Sequence, residues 1–319
     1  MATPVQVSTF HAAPGKIAAA DLRSDLDLTA EELRQLLSLT GQVKKNPRRY
    51  RNALSGEYLA LLFEKPSLRT RFTFELAIKQ LGGDAVASTG PIAGREPVKD
   101  VARNLQRWVN GIVARTFSQH TIDELAQWAS VPVINALSDL FHPCQALADI
   151  FTIEEKLGRL EGLKLAFVGD GNNVAHSLML CATRLGMDFA IATPAGYSPN
   201  PDIVSEARIF ARANDVRLTV THDAVEAVEN AHAVYTDVWA SMGHEHEAEK
   251  RNGDFENHRV DERLLAQAGS GALFMHCLPA KRGQETTDEV IESARSVVFD
   301  QAENRLHVQK ALLLMLLGR

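Results

Sequence analysis

Cysteine is scarce in this sequence. Cys144, Cys181 and Cys277 are three in number and far apart in 319 residues, which excludes a disulfide framework and points to a reducing compartment, the cytoplasm. Positive charge is not in excess either. The 34 Lys and Arg residues against 40 Asp and Glu leave a net charge of -6, so neither nucleic acid nor an anionic membrane surface is an expected partner. Long apolar runs are missing, none approaching the roughly 18 residues that a membrane-spanning helix needs. The N-terminus lacks a basic stretch followed by an apolar core, and so lacks the pattern of a secretory signal. Residues 1–20 read as a flexible tail. Internal repeats and low-complexity tracts are also absent.

What is present is a steady alternation. Hydrophobic residues make up 45% of the chain, and the length suits two domains of about 150 residues each. Strand-like runs stand at 58–63 (YLALLF), 111–115, 131–137, 163–170, 188–193, 216–221, 233–238, 272–278 and 296–300, with amphipathic helical stretches between them. That alternation predicts an α/β fold of two domains, each with a mainly parallel sheet flanked by helices. The charged segment 151–162, FTIEEKLGRLEG, separates the two sets of strands and is expected to be a helix crossing between domains.

Several turns carry polar chemistry. In FEKPSLRTRF, 63–72, a strand ends and a helix begins near Leu68, with Ser67 as its expected cap. The open amides of Leu68, Arg69 and Thr70 and the positive end of the helix dipole make a phosphate seat, to which Arg69 adds a planar fork and Thr70 a hydroxyl. Arg69 and Arg71 are both candidates for the anion; taken alone, the stretch equally fits a capped helix with solvated arginines. In HPCQALAD, 142–149, His142 and Gln145 share a helix face and can grip a carbonyl oxygen and an amino group. Arg115, at a strand end, offers another fixed cation.

In VGDGNNVAHSL, 168–178, a third glycine is missing and the next strand ends at Thr193–Pro194 without an acid, so the dinucleotide fingerprint fails. Asn172 and Asn173 there suit a carboxylate instead. TDVWASMG, 236–243, sets Asp237 at a strand end ahead of Ser241 and Met242, an arrangement that can hold an ammonium and a carboxylate. In MHCLPAKRG, Cys277 is a substrate-contacting or proton-accepting candidate, while His276 faces the other side of the strand. Arg305 heads an amphipathic terminal helix, 303–317. The loop 243–250, with His244 and His246, reads as mobile and polar.

Taken together, SLRTR, HPCQALAD, GDGNNVAHSLM, DVWASMG, HCLPA and FDQAENRLH resemble, in this order and spacing, the ornithine carbamoyltransferases of the aspartate/ornithine carbamoyltransferase family. The resemblance runs from about residue 21 to the C-terminus. It implies a carbamoyl-phosphate domain at 21–150, completed by the terminal helix 303–319, and an ornithine domain at 151–302. It also implies homotrimers with sites at subunit borders, and a reaction that needs no cofactor and no metal.

Residue by residue, the resemblance gives Ser67, Leu68, Arg69, Thr70 and Arg115 to the phosphate, and Thr70, Arg115 and His142 to the carbamoyl oxygen. Gln145 goes to the carbamoyl amino group, with Arg305 on the same substrate. Asn173, Asp237, Ser241 and Met242 go to the α-groups of L-ornithine, and Cys277 and Leu278 to its side-chain amine. Arg69, Arg115, His142, Cys277 and Asp237 are then the expected catalytic set. Two positions depart from the pattern. Leu68 replaces the common Thr, as in acetylornithine and succinylornithine carbamoyltransferases, and the 88–100 loop carries Pro91 and Ile92 where a Gln or His is usual, with Arg95 as a substitute. An N-acylornithine enzyme and a non-catalytic paralogue are the alternative readings.

Overall fold

The computed structural model of the chain describes residues 17–240 and 245–318. Its first sheet is built from β1 (Tyr58–Phe63), β2 (Asp84–Thr89), β3 (Gly111–Arg115) and β4 (Val133–Leu137), with α1 (Ala30–Lys45), α2 (Leu68–Gln80), α3 (Val98–Leu105), α4 (Gln119–Trp128) and α5 (Pro143–Leu157) around it. The second contains β5 (Lys164–Val168), β6 (Asp188–Ala192), β7 (Leu218–Thr221), β8 (Ala233–Thr236) and β9 (Leu273–His276). Around it lie α6 (Asn173–Arg184), α7 (Pro201–Ala213), α8 (Ala224–Val228), α9 (Ala248–Asp254), α10 (Glu262–Leu265) and α11 (Asp288–Ile291), and α12 (Val298–Leu317) ends the chain. Every strand pairing is parallel, in the orders β2-β1-β3-β4 and β7-β6-β5-β8-β9. Each order reverses once, between β1 and β3 and between β5 and β8. Open parallel sheets bind ligands at such points, beyond the carboxyl ends of the strands.

Local chemistry accounts for the elements. β1 and β4 are almost wholly apolar and buried, as central parallel strands with both faces covered must be. Helix α1 starts at a capping box, with Thr29 Oγ1 accepting the Glu32 N–H and Glu32 Oε2 accepting the Thr29 N–H. It buries Leu33, Leu36, Leu37, Thr40 and Val43 along one face. Helix α5 begins with Pro143 at its first turn and stops at Gly158, whose φ of 76° lies in the left-handed region that glycine tolerates.

Three expectations need correction. Residues 296–300 are not a strand: Val298 opens α12, which packs against α5, α1 and α2 and places Val298 and Val308 among the buried apolar side chains. β2 carries only a half-exposed alternation and escapes a search for apolar runs. Ile17 is buried and the Ala18 N–H bonds Glu32 Oε1 at 2.5 Å, so residues 17–20 are not part of a loose tail. From Glu245 the supposed loop is helical, a 3-10 turn leading into α9. Ser241, Met242 and His244 lie outside the described residues.

Candidate active site

The carboxyl ends of both sheets meet in a cleft of about 1210 Å³. On the first sheet β1 delivers the turn 64–67 and β3 ends at Arg115, directly beside Phe63 in the strand register. Ser67 occupies the cap position of α2, but its side chain makes no capping bond; its Oγ accepts instead from Arg115 Nη1 at 3.4 Å. The amides of the first turn, Leu68 to Thr70, are therefore left without a side-chain cap. Thr70 is buried, and its Oγ1 accepts from Arg305 Nη2 at 2.6 Å. Arg71 does not belong here: its Nε is bonded to Glu75 Oε1 at 2.8 Å.

Arg69, Arg115 and Arg305 form a cationic wall. Burial lowers the affinity of Arg115 for its proton to a pKa of about 10, and repulsion from Arg305 and Arg69 adds to the effect. Burial lowers the Arg69 and Arg305 values as well. Among the described residues neither Arg69 nor Arg305 forms an ion pair, and the buried Arg305 Nε has no partner. A wall of this kind calls for a multiply charged anion.

Next to it, His142 caps α5 by position only; its backbone N–H donates to Ser177 Oγ at 2.9 Å. Burial first, then the charges of Arg305 and Arg115, push the imidazole pKa well below its ordinary value of 6.5. The ring is thus neutral at working pH, with one N–H to donate. Gln145 is buried, donates through Nε2 to Asp149 Oδ1 at 2.8 Å, and keeps Oε1 without a partner.

The second sheet supplies the facing wall. Asn172 caps α6 by accepting from the Val174 and Ala175 amides, and its Nδ2 donates to Asp237 Oδ2 at 2.9 Å. Asn173 Nδ2 donates to the Ser138 carbonyl at 2.6 Å. Each of these side-chain amides thus gives one of its two N–H groups to the protein, and both asparagines line the cleft. Gly171 permits this turn because a Cβ there would stand 2.3 Å from Pro199 N. Asp237, at the end of β8, also accepts from Cys277 Sγ at 3.0 Å.

Burial, reinforced by Asp237, drives the Cys277 pKa well above the ordinary thiol value. Cys277 is held as a thiol that donates to Asp237. Leu278 adopts a φ of 57°, rare for a branched side chain, and its N–H donates to His276 Nδ1 at 2.8 Å. His276, Cys277 and Asp237 bring ligand atoms within 4.8 Å of one another. Yet the other His276 nitrogen faces Glu285 Oε1 at 3.2 Å, which commits the ring to shaping the Leu278 turn.

Of the candidates from the sequence, Ser67, Leu68, Arg69, Thr70, Arg115, His142, Gln145, Asn173, Asp237, Cys277, Leu278 and Arg305 line this cleft, whereas Arg71 and Arg95 do not. Sequence reading missed Lys65, Lys281 and the buried pair of Arg251 and Asp170, 2.7 Å apart, at the rim. Lys281 directly follows the HCLPA stretch, so a signal existed. For Arg251 the sequence shows only a charged stretch.

Two parallel α/β sheets with a wall of three arginines, a buried neutral histidine beside it and a carboxylate on the opposite side define a cleft built for a small, multiply charged anion next to a second, cationic group. The comparisons make this particular. Residues 21–155 match the carbamoyl-P binding domain of aspartate/ornithine carbamoyltransferase and residues 161–316 match its Asp/Orn binding domain. The chain belongs to the aspartate/ornithine carbamoyltransferase family. It is 49% identical over 308 residues to an ornithine carbamoyltransferase of Thermococcus kodakarensis, covering 95% of this chain and 98% of the relative. It is 47% identical over 307 residues, with the same two coverages, to a Pyrococcus furiosus protein named "ornithine carbamoyltransferase, anabolic". The solved structure of ornithine carbamoyltransferase from Pyrococcus furiosus superposes with a TM-score of 0.92 at 46% identity, covering 95% of this chain and 98% of that one.

Proposed function

We propose that this chain is an ornithine carbamoyltransferase, moving the carbamoyl group of carbamoyl phosphate to the δ-amine of L-ornithine and releasing L-citrulline and phosphate. The observation that carries the reading is the convergence of Arg69, Arg115, Arg305 and the α2 N-terminus beside His142 and Gln145, opposite Asp237 and Cys277. The phosphate sits against the α2 amides, Ser67, Arg69 and Arg115. The carbamoyl oxygen takes hydrogen bonds from Thr70, Arg115 and neutral His142, and the carbamoyl amino group donates to Gln145 Oε1.

Ornithine's α-groups meet Asn173 and Asp237 together with Ser241 and Met242, and Cys277 and Leu278 orient its side chain. The amine is mostly protonated at neutral pH, since alkylamines have pKa values of about 10, and only its neutral form attacks. The C–N bond forms, negative charge gathers on the carbonyl oxygen where the donors are fixed in advance, and the C–O bond to phosphate breaks. The departing phosphate or Asp237 takes the proton. An acyl phosphate is already activated, so the chemistry calls on no cofactor.

The division of labour follows the sheets, residues 21–150 with α12 holding carbamoyl phosphate and 151–302 holding ornithine. A homotrimer is the assembly that fits best. Leu68, Phe72 and Leu76 form an exposed apolar stripe on α2 that begins at the cleft, and Val86 adds to it from the edge strand β2. Ile92 in the altered 88–100 loop is buried and Arg95 is exposed, so Arg95 is a cation of that loop free to reach toward a neighbour, as Lys99 is. Three cysteines without a disulfide fit a cytoplasmic protein. The printed name of the anabolic relative supports the citrulline-forming direction, and with it arginine biosynthesis.

The test is release of citrulline and phosphate with carbamoyl phosphate and ornithine, beside N-acetylornithine, N-succinylornithine and aspartate. Turnover with ornithine alone is expected. Preference for an acylated amine moves the chain to that sister activity, and silence with all four overturns the catalytic reading.

A further inference from the structure

A primary carboxamide can stand in its pocket two ways round, oxygen or nitrogen toward the substrate, and the two present opposite hydrogen-bonding faces. In Gln145 the choice is made from behind. Nε2 donates to Asp149 Oδ1 at 2.8 Å, so Oε1 is the end left over, buried and unpartnered in a residue that lines the cleft. Asp149 is itself fully buried and held by two further donors, Gln301 Nε2 at 2.9 Å on Oδ1 and the Tyr235 hydroxyl at 3.0 Å on Oδ2. These partners come from α12 and β8, so the carboxylate is keyed by three elements, one of them in the second sheet. Asp149 does not line the cleft.

We propose that Asp149 is a positioning residue that fixes the orientation of the Gln145 amide, and thereby the preference of the site for an amino group over a methyl group on the transferred carbonyl. The inference rests on the carbamoyl-transfer reading above. An outward oxygen accepts an N–H of a carbamoyl group and has nothing to offer a methyl group, so an acetyl phosphate in the same seat strands a buried acceptor. Burial raises the Asp149 pKa to about 6, which leaves it ionised, and hence able only to accept, at neutral pH and above. Released from Asp149, the amide can turn its NH₂ outward and lose the distinction.

The experiment compares wild type with Asp149→Ala, Asp149→Ser and Asp149→Asn, measuring the KM for carbamoyl phosphate, the inhibition constant of acetyl phosphate against it, and the KM for ornithine. In the Ala and Ser variants the ratio of the first two is expected to shift toward acetyl phosphate by about tenfold or more, about 1.4 kcal/mol, while the ornithine KM moves less than about threefold. Asp149→Asn keeps an oxygen where Gln145 and Gln301 donate and should retain the wild-type ratio. The Ser variant, whose hydroxyl and added water can satisfy the neighbours, carries the test if Ala does not fold. A folded Ala or Ser variant whose kcat falls but whose ratio stays at the wild-type value overturns the proposal, because a purely structural role predicts that result. If wild type neither turns over carbamoyl phosphate nor prefers it to acetyl phosphate, the carbamoyl-transfer reading itself fails, and the inference with it.

Discussion

Three guanidiniums packed into one wall repel one another, and burial adds to what their charge costs; the Arg115 pKa of about 10 records both effects. Arg69 is the member aligned with the α2 amides. Its replacement in Arg69→Met should lower kcat/KM by at least about 1,000-fold, roughly 4 kcal/mol of transition-state binding, with an unchanged circular dichroism spectrum. Near-normal turnover in that variant removes the phosphate seat from the mechanism. His142 is held neutral, so the rate should show no step at the usual imidazole pKa. Instead kcat/KM for ornithine should climb about tenfold per pH unit between about pH 6 and 8.5, as more of the amine loses its proton. An inflection near 6.5 would return a titrating role to the histidine. Ser67, Arg69, Thr70, His142 and Gln145 were legible because a strand, a turn and a helix start lie consecutively in the chain. Pairings such as Cys277 with Asp237, 40 residues apart, were not, and nor were the bonds of the two asparagine amides to Asp237 and the Ser138 carbonyl.

Helix α2 serves two directions at once. Its N-terminus faces the anion seat, while Leu68, Phe72 and Leu76, at 68%, 57% and 43% exposure, present an apolar stripe to whatever lies outside the chain. If the proposed homotrimer is built on this stripe, Phe72→Asp should leave a folded protein that sediments as a monomer; wild-type sedimentation in that variant would show that the contact lies elsewhere. At this scale the sequence spoke clearly for buried strands. YLALLF and GIVAR fall on β1 and β3, because strands covered on both faces must be apolar throughout. It was silent on β2, half of whose surface meets solvent, and misleading at 296–300, where pairing with β9 goes no further than the bridge of Ser296 to Phe274 and the Val297 N–H before Val298 opens α12. Its own stretch of sequence put Arg305 on a helix, and only the family resemblance put it on the substrate, since its contact with Thr70 spans 235 residues and no local pattern encodes such a distance.

Across the whole molecule, the N-terminal segment ties the two sheets together. Asp25 is buried against α6, where its carboxylate accepts from the Ser177 hydroxyl and from Cys181 Sγ at 3.4 Å, and Arg184 donates to the Asp25 carbonyl at 2.7 Å. Burial lifts the Asp25 pKa from 3.8 to about 6. The folded chain therefore binds more protons here than the unfolded one, and the ionised group costs on the order of 3 kcal/mol above pH 6, a cost that fades toward pH 4. Thermal melts of wild type and Asp25→Asn should accordingly converge toward, or cross in favour of, wild type as pH falls from 7.5 to 5. Parallel curves would mean that Asp25 does not titrate in that window. The cationic wall has a consequence of its own at this scale. Arg69, Arg115 and Arg305 come from α2, β3 and the terminal helix, so a dianion bound as proposed would grip the chain at three distant points and act as a reversible cross-link. A protein without disulfides thereby acquires a fastening that tightens with ligand concentration, and its resistance to heat and proteolysis becomes a readout of the phosphate around it.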